Sequence, residues 1–291
     1  MPSRRRLVPA LVSCACLAFW AWTAVGQDDP DGWKRPTQPS KIVGPIHYVG
    51  TYGLAAYLIE TPAGHILIDG ALPESGPAIV SSIEAAGLRP RDVKFLVTTQ
   101  AHFDHVGTLA HLRAQTGARV LAMRGDERLL TSGGKGDYLF GTQSAFHFPA
   151  VQVDQVIEDG HAITLGGVTL TAHRTPGHTP GTTTWATTVQ DGGRSYRVAF
   201  VGSTFVNPGT RLVKNPSYPG IEADYRRAFA TLEVLPVDIP LGAHAQAFDF
   251  HGRRARATTQ GVAAFVDRDA PRTAVAASKA AFEKLVAAEK Q

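Results

Sequence analysis

Past residue 16 the 291-residue chain contains no cysteine; Cys14 and Cys16 are its only two. A thiol nucleophile, a thiolate metal ligand and a disulfide framework are therefore excluded from the body of the protein. Charge is scarce as well, at 19% of residues. Three of the 29 basic residues (Arg4, Arg5, Arg6) and none of the 25 acidic ones lie in the first 26 positions, so the remainder carries only +1. That remainder has no basic run and no interleaving of basic and aromatic residues, which argues against nucleic-acid binding. Gly-x-Ser-x-Gly is also missing, so the chain encodes no serine nucleophile elbow of that kind.

One apolar run is long enough to matter outside a core. It covers residues 7–24, follows the three arginines and ends in Ala24-Val25-Gly26, a small-x-small cleavage pattern before the polar Gln27-Asp28-Asp29. This is the layout of a secretory signal peptide over residues 1–26. At about 18 residues the run could just span a bilayer, but the cleavage pattern favours removal. The mature protein is expected in the periplasm, without membrane attachment and stabilised by its core alone. Residues 27–40 are polar and proline-bearing and read as a flexible arm. Residues 41–291 read as a single domain.

Within that domain, 54–59 and 65–69 are strand-like and joined across Thr61-Pro62-Ala63-Gly64, which predicts a hairpin. Residues 74–86 carry Ile79, Val80 and Ile83 at helical spacing, with Gly87 at the stop position. A buried strand over 93–97, a helix over 105–115 and a strand over 119–122 follow. This order predicts an α/β layered fold, in which ligand sites sit at the C-terminal ends of strands. The glycine-rich stretch 131–150 carries Tyr138, Phe140, Phe146 and Phe148 and either lines a cleft or packs as a surface loop. Strands are expected over 153–157, 162–165, 168–173, 182–189, 196–201 and 237–241. Helices are expected over 221–235, 258–267 and 273–288. Together these give two β-layers with helices outside.

The chemistry-bearing residues collect in loops after strands. Gln100-Ala101-His102-Phe103-Asp104-His105 follows the 93–97 strand, His178 stands in Thr175-Pro176-Gly177-His178-Thr179-Pro180-Gly181, and His244 ends Leu241-Gly242-Ala243-His244. Taken alone, the first of these could be a polar loop with two solvated histidines. A histidine fixed on a proline- and glycine-bearing turn is held in place but left uncovered. Imidazole nitrogen and carboxylate oxygen suit Zn2+, and a site without thiolate is of the catalytic type that keeps a position open for water. His102, Asp104, His105, His178 and His244 could serve two ions. The other seven histidines (His47, His65, His111, His147, His161, His173, His251) fall within strand, helix or turn patterns and read as structural or solvated. His111, six residues past His105 on one expected helix, should face another way.

These motifs resemble the metallo-β-lactamase superfamily, whose signature is His-x-His-x-Asp-His, a later glycine-histidine and a last histidine. The resemblance runs over roughly residues 41–255 and includes Ile68-Asp69-Gly70. Asn215-Pro216-x-Tyr218-Pro219 and Asp224-Tyr225-Arg226-Arg227-Ala228-Phe229 are similar to subclass B3. The resemblance implies a four-layer αβ/βα sandwich. By position it assigns a first zinc to Gln100, His102 and His178, and a second to Asp104, His105 and His244. Gln100 departs from the family's first histidine, as in the GOB-type branch. An amide oxygen is a weaker donor than imidazole for zinc, so one or two Zn2+ per chain are expected, with the second site tighter.

Phe200-Val201-Gly202-Ser203-Thr204-Phe205 marks a further departure. Thioesterases and lactonases of the superfamily carry a bridging aspartate where Ser203 stands, and subclass B3 carries serine. Ser203 would hydrogen-bond a metal-associated water or the substrate carboxylate, or simply pack. The implied activity is hydrolysis of the β-lactam amide by a metal-activated hydroxide, conferring β-lactam antibiotic resistance. His102, Asp104, His105, His178 and His244 would be the catalytic set, with Asp104 orienting the water. Tyr138, Phe146 and Phe148 on the rim loop, and Tyr52 opposite, are candidates for contact with a small β-lactam substrate. The expected protein is a monomer. The competing readings are a lactonase or glyoxalase II-like thioesterase, and a metal-binding periplasmic protein weakened in catalysis by Gln100.

Overall fold

A computed structural model describes residues 30–291, so the leader read over 1–26 lies outside the described residues. The chain opens with helix α1 (Pro30–Lys34) and strands β1 (Ser40–Val43), β2 (Ile46–Tyr48), β3 (Tyr57–Ile59) and β4 (His65–Ile68). β3 and β4 form the expected antiparallel hairpin. Helices then carry the chain between parallel strands: α2 (Gly76–Ala85), β5 (Val93–Val97), α3 (Phe103–Val106), α4 (Leu109–Thr116), β6 (Arg119–Met123), α5 (Glu127–Ser132) and β7 (Gln155–Ile157). The seven strands lie side by side in sequence order. The second half makes an antiparallel meander of β8 (Ala162–Leu165), β9 (Val168–Arg174), β10 (Thr183–Asp191) and β11 (Arg194–Val201). Helix α6 (Ile221–Val234) returns the chain to β12 (Ile239–Gly242), which pairs parallel to β11. Helices α7 (Phe250–Gln260) and α8 (Ala270–Glu289) follow.

Alternation along the strands builds the layers. Successive side chains point to opposite faces. Tyr57, Ile59, Ile66, Ile68, Val97, Leu121 and Met123 therefore turn inward, against Leu170, Trp185, Phe200, Ile239 and Leu241 of the second sheet. Their neighbours Leu58, Leu67, Leu96, Val120 and Ala122 turn the other way, under Ile79 and Ile83 of α2, Leu109 and Leu112 of α4, and Leu129 and Leu130 of α5. A third cluster joins Tyr225 and Phe229 of α6 to Phe282 and Val286 of α8. The result is the αβ/βα sandwich. Each fully buried large apolar side chain contributes about 1.5–3 kcal/mol, so the inter-sheet layer holds the two halves together without a cross-link. No helix among the described residues is long and apolar enough to cross a membrane.

Three expectations are corrected. The helix over 105–115 is two helices, because the Gly107 amide donates to the Ala71 carbonyl and a Cβ there would meet Pro73. The first closing helix is not 258–267 but α7, which Gly261 ends at a φ of 57°. Residues 30–40 of the expected flexible arm lie against the domain. Tyr52 and Gly53 donate their amides to the Arg35 and Gly32 carbonyls, and Pro36 bridges Thr51.

Candidate metal centre

The chain segments just past β4, β5, β9, β11 and β12 converge at one end of the sandwich. Asp69, at the end of β4, is buried and holds a left-handed φ of 61°, which costs a non-glycine residue about 1–2 kcal/mol. The conformation is fixed from outside. Its amide donates to the Val97 carbonyl, and its carboxylate accepts from the Thr99 N–H at 2.7 Å and the Thr99 hydroxyl at 2.6 Å. The loop after β5 is thereby anchored before it reaches His102, which caps α3 in an extended conformation. The single helical turn that follows places Asp104 and His105 beside the end of β12.

There Asp104, His105 and His244 close a triangle. His105 Nε2 lies 3.2 Å from His244 Nε2 and 3.2 Å from Asp104 Oδ2, and His244 Nε2 lies 3.3 Å from the same oxygen. Donors about 2.0–2.1 Å from a tetrahedral Zn2+ sit about 3.3 Å from one another. The three edges therefore match one face of such a tetrahedron, and the donor set fits a divalent cation. Asp69 Oδ2 stands 3.6 Å behind His105 Nδ1.

His102 and His178 make a second group, with His102 Nδ1 3.1 Å from His178 Nε2. The outer nitrogen of His178 donates to the Phe205 carbonyl at 2.7 Å. Gly177 permits the turn that presents this ring, with a φ of 135° and Tyr225 so close that a Cβ would collide with it. Gln100 is buried beside this pair, and its Oε1 accepts the Ser203 N–H at 3.0 Å. Ser203 Oγ in turn accepts from the Phe205 amide. The Gln100 oxygen is thus already engaged by backbone from the opposite half.

Protonation differs between the groups. Burial and the neighbouring His102 hold His178 down to about 3, so it is neutral at ordinary pH. Burial alone would also lower His105, but the Asp104 and Asp69 carboxylates outweigh it and raise the ring to about 10. Asp104 is held well below the usual carboxylate range despite its burial, by His105 and His244. A cation entering the triangle at neutral pH must then displace a proton from His105. Its apparent affinity should rise about tenfold per pH unit from pH 6 to 8. Chelator-competition titrations at three pH values would measure this slope, and a pH-independent affinity would contradict it.

Several contributors carried little sequence signal. Asp126, just past β6, is fully buried, and its carboxylate accepts from the Ala101 N–H, the Thr179 hydroxyl and the Gly181 N–H at 2.9, 2.8 and 2.7 Å. It braces the Gln100–His105 loop to the His178 loop, and burial pushes it up to about 6. Asp137, in the glycine-rich loop, reaches His102 Nε2 at 3.2 Å. Trp33 of α1 sets its ring edge-on to His244 at 5.4 Å.

The rim residues separate. Phe146 stacks on Phe140 at 4.4 Å, and Phe140 meets the His102 ring edge-on at 5.6 Å. Tyr138 packs on Tyr218, with its hydroxyl toward the His178 carbonyl. Phe148 belongs instead to the core under the first sheet. Tyr52 has both faces covered, by the Arg35 guanidinium at 3.5 Å and the His251 ring at 3.7 Å, so neither is open to a substrate.

The sequence profile described as the metallo-beta-lactamase superfamily matches residues 50–244. The fold is similar to that of native FEZ-1 metallo-beta-lactamase from Legionella gormanii, with a TM-score of 0.86 at 38% identity, covering 89% of this chain and 98% of that one. It is also similar to the metallo-beta-lactamase GOB-18 from Elizabethkingia meningoseptica, with a TM-score of 0.84 at 32% identity over 89% and 96% of the two chains. A probable metallo-hydrolase of Burkholderia pseudomallei is 31% identical over 201 residues, 64% of this chain. The chain spans 66% of that relative, just under two thirds of its length.

Proposed function

The chain belongs to the metallo-beta-lactamase superfamily, and from that premise we propose that it is a periplasmic, zinc-dependent β-lactamase of subclass B3. The observation that carries the reading is the closed Asp104–His105–His244 triangle together with the His102–His178 pair, five donors without a thiolate. His102 and His178, with Gln100, would hold the first cation, and Asp104, His105 and His244 the second. When bound, the metal supplies Lewis acidity that makes hydroxide available near neutral pH.

The protein's own groups do the rest. Asp104, ionised across the working range, orients the attacking water against the lactam carbonyl. The water oxygen bonds to that carbon as the carbon–nitrogen bond breaks, and the proton the water gives up ends on the freed ring nitrogen, so that one water is consumed and a carboxylate and an amine result. Ser203 keeps its hydroxyl proton for a substrate carboxylate, since its oxygen is the acceptor for Phe205. Its presence where the thioesterases carry a bridging aspartate favours a β-lactam over a thioester. The Gln100 oxygen, already bonded to Ser203 N–H, is a poor third donor, which leaves the first site the weaker. The protein would act as a monomer after leader cleavage and protect its host against β-lactam antibiotics.

The purified mature chain should hydrolyse a chromogenic cephalosporin, lose this activity to a chelator and regain it with Zn2+. After dialysis it should keep about one zinc. Turnover of a lactone or a glutathione thioester without cephalosporin turnover would refute the substrate class. Two zincs held equally tightly would refute the ranking of the sites.

A further inference from the structure

Asp137 lies outside both donor groups, on a loop with no regular structure, yet its side chain is only 3% exposed. Oδ1 accepts the amides of Leu139 at 2.8 Å and Phe140 at 2.7 Å. Oδ2 faces His102 Nε2 at 3.2 Å, and the other nitrogen of the same ring, Nδ1, faces His178. An ionised carboxylate only accepts hydrogen bonds, so the nitrogen turned to Asp137 must be an N–H. The lone pair is then left on Nδ1, on the side of the first cation position. We propose that Asp137 is a positioning residue that fixes the tautomer of His102 and thereby makes the first site competent to bind metal. This inference rests on the metallo-hydrolase reading.

The two oxygens of Asp137 do different work, so two substitutions separate a tautomer role from a structural one. In Asp137→Asn the single carbonyl oxygen remains with the Leu139 and Phe140 amides. The NH2 group then meets His102 Nε2 donor to donor. The ring must accept there, which moves its proton to Nδ1 and blocks the metal position. In Asp137→Ala the turn loses its cap, but water can accept the hydrogen bond from the Nε2 N–H and the correct tautomer survives. Loss of an outer hydrogen-bond partner of a ligating histidine typically costs about 10–100-fold in metal affinity. First-site affinity is therefore expected to fall by that factor in the alanine variant and further in the asparagine variant. A purely structural role gives the reverse order, since asparagine keeps the size and the capping oxygen.

The experiment is a Co2+ titration of the full mature protein and both variants, following the ligand-field bands of each site. Proton NMR of the Co2+-loaded protein in H2O and D2O adds the exchangeable N–H signal of His102. Unchanged affinity at Asp104, His105 and His244 reports that each variant is folded. The order wild type, alanine, asparagine, with the His102 N–H signal lost in the asparagine variant, supports the proposal. First-site affinities equal to wild type, or asparagine binding better than alanine, overturn it. A wild-type protein that takes up no cobalt at either site overturns the metallo-hydrolase reading itself.

Discussion

Asp104→Ala is expected to abolish tight metal retention and cephalosporin hydrolysis together. Asp104 supplies one oxygen to two of the triangle's three edges, and with Asp69 it raises His105. Without it, two imidazoles remain as donors and the carboxylate left nearby, Asp69, stands behind His105 and outside the triangle. The loss in kcat/KM should exceed the roughly 10–100-fold typical of removing a mere outer-shell partner. Metal analysis after dialysis and steady-state kinetics would check both halves of the prediction. Full turnover in the variant would remove Asp104 from the mechanism.

Asp126→Ala should be the most damaging substitution that touches no donor atom. It leaves the Ala101 amide, the Gly181 amide and the Thr179 hydroxyl buried near a hole. Each unsatisfied buried donor costs about 1–3 kcal/mol, so a loss of roughly 3–5 kcal/mol is expected. For a domain of this size that lowers Tm on the order of 5–15 °C. The penalty should be larger at pH 5 than at pH 8. Burial raises this carboxyl to about 6 in the folded protein. The part of its stabilisation that is linked to protonation is therefore complete below the unfolded value near 4 and is lost as pH rises through 6, while its hydrogen bonds remain. Thermal melts at both pH values would show the difference. Equal melting temperatures for variant and wild type would exclude Asp126 as a brace.

The parts legible in the sequence were those whose causes are local. The 93–97 strand is read from its own five residues, and it delivers the Gln100–His105 cluster to the end of the sheet. The Pro-Gly-His turn at 176–178 declares a fixed, uncovered imidazole. The two-layer architecture follows from inward and outward alternation, as at Tyr57, Leu58 and Ile59. The unread parts depend on distant backbone. Asp126 is defined by amides 25 and 55 residues away, and an amide has no residue-type signature. Asp137 looked like an ordinary polar residue between glycine and tyrosine until a ring 35 positions earlier turned toward it. Trp33 sat in a polar stretch, and only the fold lays it against His244. Tyr52 is a candidate for substrate contact in the sequence because neither Arg35 nor His251 announces that it will cover a tyrosine.

The framing of His244 also sets an order of events. The backbone of His244 is bridged to that of Leu54, and the residues on either side of it bond the backbone of Gly53 and Ala55. The triangle therefore combines a donor that comes late in the chain with a cradle supplied by its beginning. Joining such distant points adds little to the loop-closure cost, which grows only as about (3/2)RT ln n. Its effect is on timing. A nascent chain cannot complete this centre until residue 244 has emerged and folded back, so the cation is taken up by a nearly finished protein. A chain that crosses a membrane unfolded crosses it without an assembled metal centre, and the metal it works with is drawn from the side on which it folds.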